Sequence, residues 1–331
     1  TPRKNARGGM AALLLPVTGA SAQLGFDMQR AAGLAQSGSD GKTVIKLFDT
    51  EASAEGAGEA AGLAARSGAA AILGPLFGHQ VRSVAAAVPG AVPIIAFSNN
   101  LGARDGRSFE FGITPSQLVS AVLQYARARG TRRVALIGAG TEWSEQARKA
   151  AQRIAPEIGL QLMDVAQPGR AGGPDLVQAI RRAAGGAPDA VLLTSGGAEF
   201  AAQAQALRGN GVQVLGTLRA LNHSSAALSS LEGVWLSTPD PARFAEFAAA
   251  YRASAGTDPG VVAALAFDAA RIVDTLARTG RLNREGLLSS AGFSGIAGAV
   301  RFRNDGRCVR ELAIVTVSSG TLKTLARKAG L

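Results

Sequence analysis

Short apolar runs and helical stripes alternate along almost the whole chain. Near-continuous apolar runs of four to six residues predict strands at Ala11–Leu15, Val44–Phe48, Ala70–Leu73, Val92–Phe97 and Phe109–Ile113, with helices at Phe26–Gln36, Ala54–Arg66 and His79–Val88 between them. A second series predicts strands at Arg133–Ile137, Leu160–Val165, Ala190–Thr194, Val212–Leu215 and Val234–Ser237, and helices at Glu142–Ile158, Pro174–Ala184 and Ala198–Arg208. Val119, Val122, Leu123 and Ala126 stand at i, i+3, i+4 and i+7, the stripe of a buried helix, and Phe244, Phe247, Ala248 and Tyr251 repeat that spacing. Two long helices, Ala242–Ala255 and Val261–Arg278, follow the second series. A strand pair, Val300–Phe302 and Leu312–Val317, closes the pattern around the turn Asn304-Asp305-Gly306.

Strict β/α alternation with apolar strands requires parallel sheets covered on both faces. The expected fold is therefore α/β, with two doubly wound parallel-sheet lobes joined by a multi-strand hinge. Extended, proline-containing segments, Gly112–Pro115 and Ser237–Pro241, mark the crossings. They divide the chain into residues 10–115 plus 240–298 for the first lobe and 116–239 plus 299–325 for the second.

Composition narrows the classes. The chain has 331 residues, 47% of them hydrophobic, which suits two domains and excludes a disordered chain. Its single cysteine, Cys308, cannot close an internal disulfide, and two scattered histidines, His79 and His223, leave no zinc site to build with it. No metal and no cofactor is expected. The formal charge is +11. The tightest basic groups, Arg127/Arg129/Arg132/Arg133 and Arg301/Arg303/Arg307/Arg310, have no interleaved aromatics for base stacking, so they read as solvated helix ends and turns rather than a nucleic-acid face. Near the start, Arg3, Lys4 and Arg7 precede an apolar run and Ala20-Ser21-Ala22, which imitates an export signal. The run is short and pairs with a following helix, so a first strand is the favoured reading, with any signal already removed from this numbering. No stretch is long and apolar enough for a membrane span.

In open α/β sheets ligands bind beyond the carboxyl ends of the strands. Six loops qualify: Pro16–Gly25, Gly74–Gln80, Phe97–Leu101, Ala139–Trp143, Ser195–Glu199 and Gly216–Asn222. Gly78 allows close backbone approach. His79 and Gln80 open a helix, and Ser98-Asn99-Asn100 offers hydroxyl, amide and main-chain donors. Each also has a plain reading as a turn or helix cap. Gly138-Ala139-Gly140 begins like a dinucleotide fingerprint, but Trp143 occupies the third glycine position. No G-x-S-x-G elbow or P-loop occurs, and Asp268, inside a helix stripe, reads as a structural contact. The loops offer a cleft without catalytic apparatus, so no enzyme is expected.

At these loops the chain resembles the type 1 periplasmic ligand-binding proteins, the leucine/isoleucine/valine-binding group of ABC transporters. The resemblance spans roughly Ala11 to Val317. It is carried by Leu13-Leu14-Leu15-Pro16-Val17-Thr18-Gly19, Ile72-Leu73-Gly74-Pro75-Leu76-Phe77, Val92-Pro93-Ile94-Ile95-Ala96-Phe97-Ser98 and Phe111-Gly112-Ile113-Thr114-Pro115-Ser116. Tyr251-Arg252, Leu265-Ala266-Phe267-Asp268-Ala269 and Gly295-Ile296-Ala297-Gly298-Ala299-Val300-Arg301-Phe302 complete it. It implies a periplasmic, non-enzymatic receptor whose lobes close over a small amino-acid-like ligand and which serves an inner-membrane ABC permease; a lipid anchor is one form such proteins take. By the same resemblance Gly78, Ser98 and Asn100 match the carboxylate-holding cluster, Trp143 the covering aromatic, and Leu24 a residue packing on the ligand side chain.

Departures are equally specific. The family's serine after the G-P-L-F turn is Gly78 here, the acid that grips an amino group falls near Thr217-Leu218, and a second aromatic falls near Gly197-Ala198. Glu199 could substitute for the missing acid. The chain is also similar to lipoprotein activators of penicillin-binding proteins, in Leu73–Phe77, Ile95–Ser98, Gly292–Gly295 and Arg301-Phe302-Arg303. That likeness implies a penicillin-binding protein as an alternative partner.

Overall fold

The structure is a computed structural model that describes residues 9–38, 43–100, 106–165, 174–221 and 228–329. The chain divides into two compact units. The first holds the residues up to Ile113 together with Ala242–Arg310, and the second holds Thr114–Pro241 with the residues from Glu311 on. The backbone therefore passes between units three times.

The first unit carries a five-stranded sheet of β1 (Met10–Leu15), β2 (Val44–Asp49), β3 (Ala69–Leu73), β4 (Ile94–Ala96) and β5 (Ser108–Glu110). Its order is β2-β1-β3-β4-β5 and every pairing is parallel. The alanine-rich α2 (Ala54–Arg66) and α3 (Gly78–Ala87) cover one face, where Ala57, Ala61, Ala64 and Val84 pack with Ala12, Leu14 and Ile72. Small side chains let these helices approach the sheet closely. The first helix, α1 (Ala22–Ser37), packs against β1 and against a long helix, Val261–Arg278, that comes late in the chain.

The second unit repeats the plan. Here β6 (Arg133–Ile137), β7 (Gln161–Val165), β8 (Ala190–Leu193), β9 (Gln213–Thr217) and β10 (Trp235–Thr238) lie in the order β7-β6-β8-β9-β10, again parallel. Both sheets thus have the 2-1-3-4-5 order, which places a topological switch point between the first and third strands of each unit. The helices are α4 (Pro115–Ala128), α5 (Glu142–Glu157), α6 (Pro174–Ala183) and α7 (Gly197–Leu207). Leu176, Ile180, Phe200 and Leu207 of α6 and α7 pack on Ile137, Val191 and Leu193. Two further helices, α8 (Pro241–Ala255) and α9 (Val261–Arg278), and the single turn α10 (Arg284–Leu287) follow.

The end of the chain departs from the expected pattern. Val300–Phe302 (β11) pairs antiparallel with Cys308–Arg310 (β12), closing a hairpin inside the first unit. Residues 299–310 therefore do not belong to the second lobe as expected. Phe302 packs against Phe109, Phe111 and Phe293, and this aromatic cluster holds the hairpin on its own unit. Nor does β11 pair with Leu312–Val317, the partner expected for it. Leu312–Ser318 (β13) runs antiparallel to β10, and Thr321–Ala329 (β14) runs antiparallel to β13, extending the second sheet to seven strands.

Arg310 also overturns its reading as a solvated turn residue. It is fully buried. Its Nη1 donates to Ala297 O at 3.1 Å, its Nη2 donates to Phe111 O at 2.5 Å, and the guanidinium lies 4.9 Å from the Phe111 ring centroid. Asp268, on α9, is buried beside the same segment and accepts Ile296 N–H at 2.7 Å and Ala297 N–H at 2.8 Å. Both polar groups of the Ala297 main chain are thereby satisfied in a stretch without regular structure, as burial demands.

Candidate functional site

In the first unit the loops after β1, β3 and β4 leave the carboxyl edge of the sheet around its switch point. Gly74–Pro75, a cis peptide, ends β3 and leads to Phe77 and the start of α3. Gly78 meets the loop after β4 directly. A Cβ at this position would lie 2.3 Å from Asn100 O, closer than real Cβ atoms come, and 3.1 Å from Ser98 Oγ, so only glycine fits unless the loop shifts. Ser98 is buried and its hydroxyl is internally satisfied, donating to Asn100 O at 2.7 Å and accepting Asn100 N–H at 3.0 Å. Gly78, Ser98 and Asn100 are thus brought together, with half-buried Asn99 between the last two. The donors such a cluster can present are the main-chain N–H groups of the first turn of α3.

His79 and Gln80 turn elsewhere. Gln80 is fully buried; its amide donates to Ser53 O at 3.1 Å while Oε1 accepts Phe77 N–H at 3.3 Å. His79 stacks on Phe77, and its Nε2 lies 3.3 Å from Ala52 O. Both brace the turn after β2, where Glu51 and Ala52 have positive φ of 51° and 54°, a conformation that persists only when its surroundings impose it. Asp49 braces the same turn. It accepts Glu51 N–H at 2.9 Å, the Thr18 hydroxyl at 2.7 Å and Val17 N–H at 3.0 Å. Burial pushes its pKa up, but these hydrogen bonds together outweigh burial and hold it below the usual carboxylate range. Leu24 lies half-buried in the first turn of α1.

A recess of about 900 Å3 in the first unit is lined by Lys46, Asp49, Glu59, Leu63 and Arg66, on β2 and α2. It includes none of Gly78, Ser98 or Asn100. It is shallow and open, and its lining does not converge polar groups on one point, so the strand-end loops are the better candidate.

In the second unit a relay of hydroxyls fixes the switch point. Ala139 N–H donates to Ser144 Oγ (2.7 Å), Ser144 donates to Thr194 Oγ1 (2.6 Å), and Thr194 donates to Ile137 O (3.0 Å). This relay ties β6 to β8 and sets the first turn of α5, capped by Thr141. Trp143 stands in that turn, half-buried.

Against its ring, 5.1 Å from guanidinium carbon to centroid, lies Arg219. Arg219 follows buried Thr217 and half-buried Leu218 at the carboxyl end of β9, and Thr217 Oγ1 accepts its N–H at 3.4 Å. The third loop closes on it too, since a Cβ on Gly196 would lie 2.9 Å from Arg219 O. Trp143, Thr217, Leu218 and the loop leading to Glu199 therefore gather around a cation. Glu199 accepts from Gln203 on its own helix at 3.4 Å, and Ser195 donates to the same Gln203 at 2.6 Å. The family resemblance directs attention to an acid near Thr217-Leu218 and not to the basic residue beside them, Arg219. The signal was present one residue further on. The far ends of two of the predicted loops, Leu101 and Asn222, and His223 lie outside the described residues.

No helix among the described residues is long and apolar enough to cross a membrane, and the described residues hold no group of His, Cys, Asp and Glu side chains arranged for a metal. No curated protein matches the sequence. Among solved structures, a Rhodospirillum rubrum protein provisionally assigned to a branched-chain amino acid ABC transporter superposes with a TM-score of 0.83 at 22% identity, over 96% of this chain and 99% of that one. A solute-binding protein of an ABC transporter from R. palustris, in complex with benzoate, gives 0.63 at 18% identity over 97% and 96%. Full-length LpoA from Haemophilus influenzae gives 0.76 at 14% identity, over 96% of this chain and 59% of LpoA. A sequence model described as periplasmic binding protein matches residues 6–321, and the chain belongs to that family.

Proposed function

We propose that the chain is the solute-binding component of an ABC transporter on the periplasmic side of the inner membrane. It takes a small carboxylate, an amino acid or a related acid, binds it without chemical conversion and delivers it to the permease. The observation that carries this reading is the meeting of Gly78 with the Ser98–Asn100 loop at the carboxyl edge of the first sheet. There the first turn of α3 offers main-chain donors and the positive end of a ten-residue helix to an anion. Trp143 and the loops around it supply the contacts of the second unit.

The test is a thermal-shift screen of α-amino acids and of aliphatic and aromatic acids, followed by calorimetry on the hits. The expected result is at least one carboxylate that raises Tm and binds in the micromolar range. Trp143→Ala is expected to weaken it by roughly 10-fold or more, given what a buried aromatic contact contributes. A screen without a single hit overturns the reading, and binding unchanged by Trp143→Ala removes that residue from the site.

A second reading, action through a penicillin-binding protein, is favoured by one feature of the same loop. The Ser98 hydroxyl is satisfied by the Asn100 main chain and is not directed at a solute. Retention of a penicillin-binding protein by the immobilised chain, with no hit in the solute screen, supports this second reading.

A further inference from the structure

We propose that Arg219, braced on Trp143, selects solutes whose second polar group is anionic and turns away those in which that group is an ammonium. This rests on the solute-binding reading and narrows its substrate class to dicarboxylates and similar dianions.

Five observations lead there. Arg219 is exposed and, among the described residues, has no ion-pair partner. The two acidic side chains closest to these loops in sequence are engaged along their own helices: Glu142 accepts from Gln146 at 3.1 Å and Glu199 from Gln203. The guanidinium is already oriented, because it lies against the Trp143 ring, and a stacked, planar fork loses little freedom when it grips a carboxylate. Its backbone is held as well, by Thr217 Oγ1 and by the close approach of Gly196, so three strand-end loops converge on one cation. The N-terminus of α7 adds to the same field, since Gly196 provides no side-chain cap for its first N–H groups.

A cation in this place attracts a carboxylate and repels an ammonium. An α-amino acid brought to these loops would set its ammonium beside the Arg219 guanidinium.

The experiment uses three probes of equal chain length that differ only at the far end: glutarate (carboxylate), pentanoate (methyl) and 5-aminopentanoate (ammonium). Calorimetry on the full chain is expected to rank glutarate first and 5-aminopentanoate last. Arg219→Gln is expected to weaken glutarate by roughly 10-fold or more, the usual scale of a charge-assisted pair, and pentanoate by less than about 3-fold. Arg219→Lys, which keeps the charge and loses the stacked fork, is expected to fall between wild type and Arg219→Gln. Circular dichroism and Tm confirm that each variant is folded.

If glutarate is not preferred over pentanoate, or if Arg219→Gln keeps the preference, the inference is overturned while solute binding stands. If none of the three binds, the inference is also overturned, and the wider carboxylate screen decides separately whether the solute-binding reading survives.

Discussion

Asp268 sets two effects of opposite sign against each other, and the outcome can be measured. Its carboxylate is 1% exposed and sits in α9, among apolar neighbours. Burial disfavours the ion. The N–H groups of Ile296 and Ala297 and the charges of Arg310 and Arg271 favour it. Burial is the larger effect, and the carboxyl is pushed up from 3.8 to about 6. A carboxyl whose folded pKa is raised binds its proton more tightly in the native state than in the unfolded one. Its contribution is therefore fully present below pH 3.8 and is lost as pH rises through about 6. A shift of this size corresponds to roughly 3 kcal/mol between the two ends of that window, at about 1.4 kcal/mol per pH unit.

Asp268→Asn removes the titration and keeps the shape. One N–H then faces an amide NH2 instead of an oxygen, at a cost of about 1–3 kcal/mol for the stranded donor. The wild type loses stability from pH 4 to pH 7 through this group and the variant does not. The destabilisation by Asp268→Asn is therefore expected to shrink by up to about 3 kcal/mol between pH 4 and pH 7. Urea unfolding of both proteins across that range measures it, and other titrating groups cancel in the difference. A difference that grows with pH would refute the reasoning, because it would mean that the two N–H groups and Arg310 outweigh burial and keep Asp268 ionised.

Two further substitutions test the packing around the site. Arg310→Met leaves Phe111 O and Ala297 O without their buried donor, and is expected to cost about 3–5 kcal/mol in urea unfolding; a loss below about 1 kcal/mol would show that burying the cation cancels its hydrogen bonds. Gly78→Ala forces a Cβ to within 2.3 Å of Asn100 O, so it is expected to lower Tm and to weaken any carboxylate found in the screen; unchanged Tm and affinity would mean that the loop after β4 yields freely.

Most of the α/β framework was legible because parallel strands buried on both faces read as apolar runs, and ten of them stand between helical stripes. The two strands missed are those without such a run. β14 reads Thr-Leu-Lys-Thr-Leu-Ala-Arg-Lys-Ala, a charged edge strand whose exposed Lys323 and Arg327 also discourage pairing with another chain. β12 reads Cys-Val-Arg, and nothing local says that Arg310 is buried; its partners are Phe111 and Ala297, one of them far away in sequence. Misplacing that hairpin shifted the lobe boundary from 310 to 298.

The same distinction runs through the site. The strand-end rule located the loops, and the family resemblance grouped Gly78 with Ser98 and Asn100. It could not say that Gln80 and His79 serve the turn at Glu51-Ala52, because hydrogen bonds to main-chain oxygens leave no mark in a side-chain pattern.

Main-chain donors read charge and little else. If the first unit grips a carboxylate through the first turn of α3, as the proposed reading has it, every small acid satisfies that grip about equally, and discrimination must come from side chains that reach further. By the same reading Trp143 and Arg219 of the second unit would supply it, on loops whose main chains are hydrogen-bonded by Ser144 and Thr217. A change of acid to arginine there alters the sign of the preferred partner and leaves the sheet, the hydroxyl relay and the helix caps untouched. On that reading one fold can serve different acids while its sheets stay the same. It also locates the decisive measurement for this chain at Arg219 rather than in further likeness of fold.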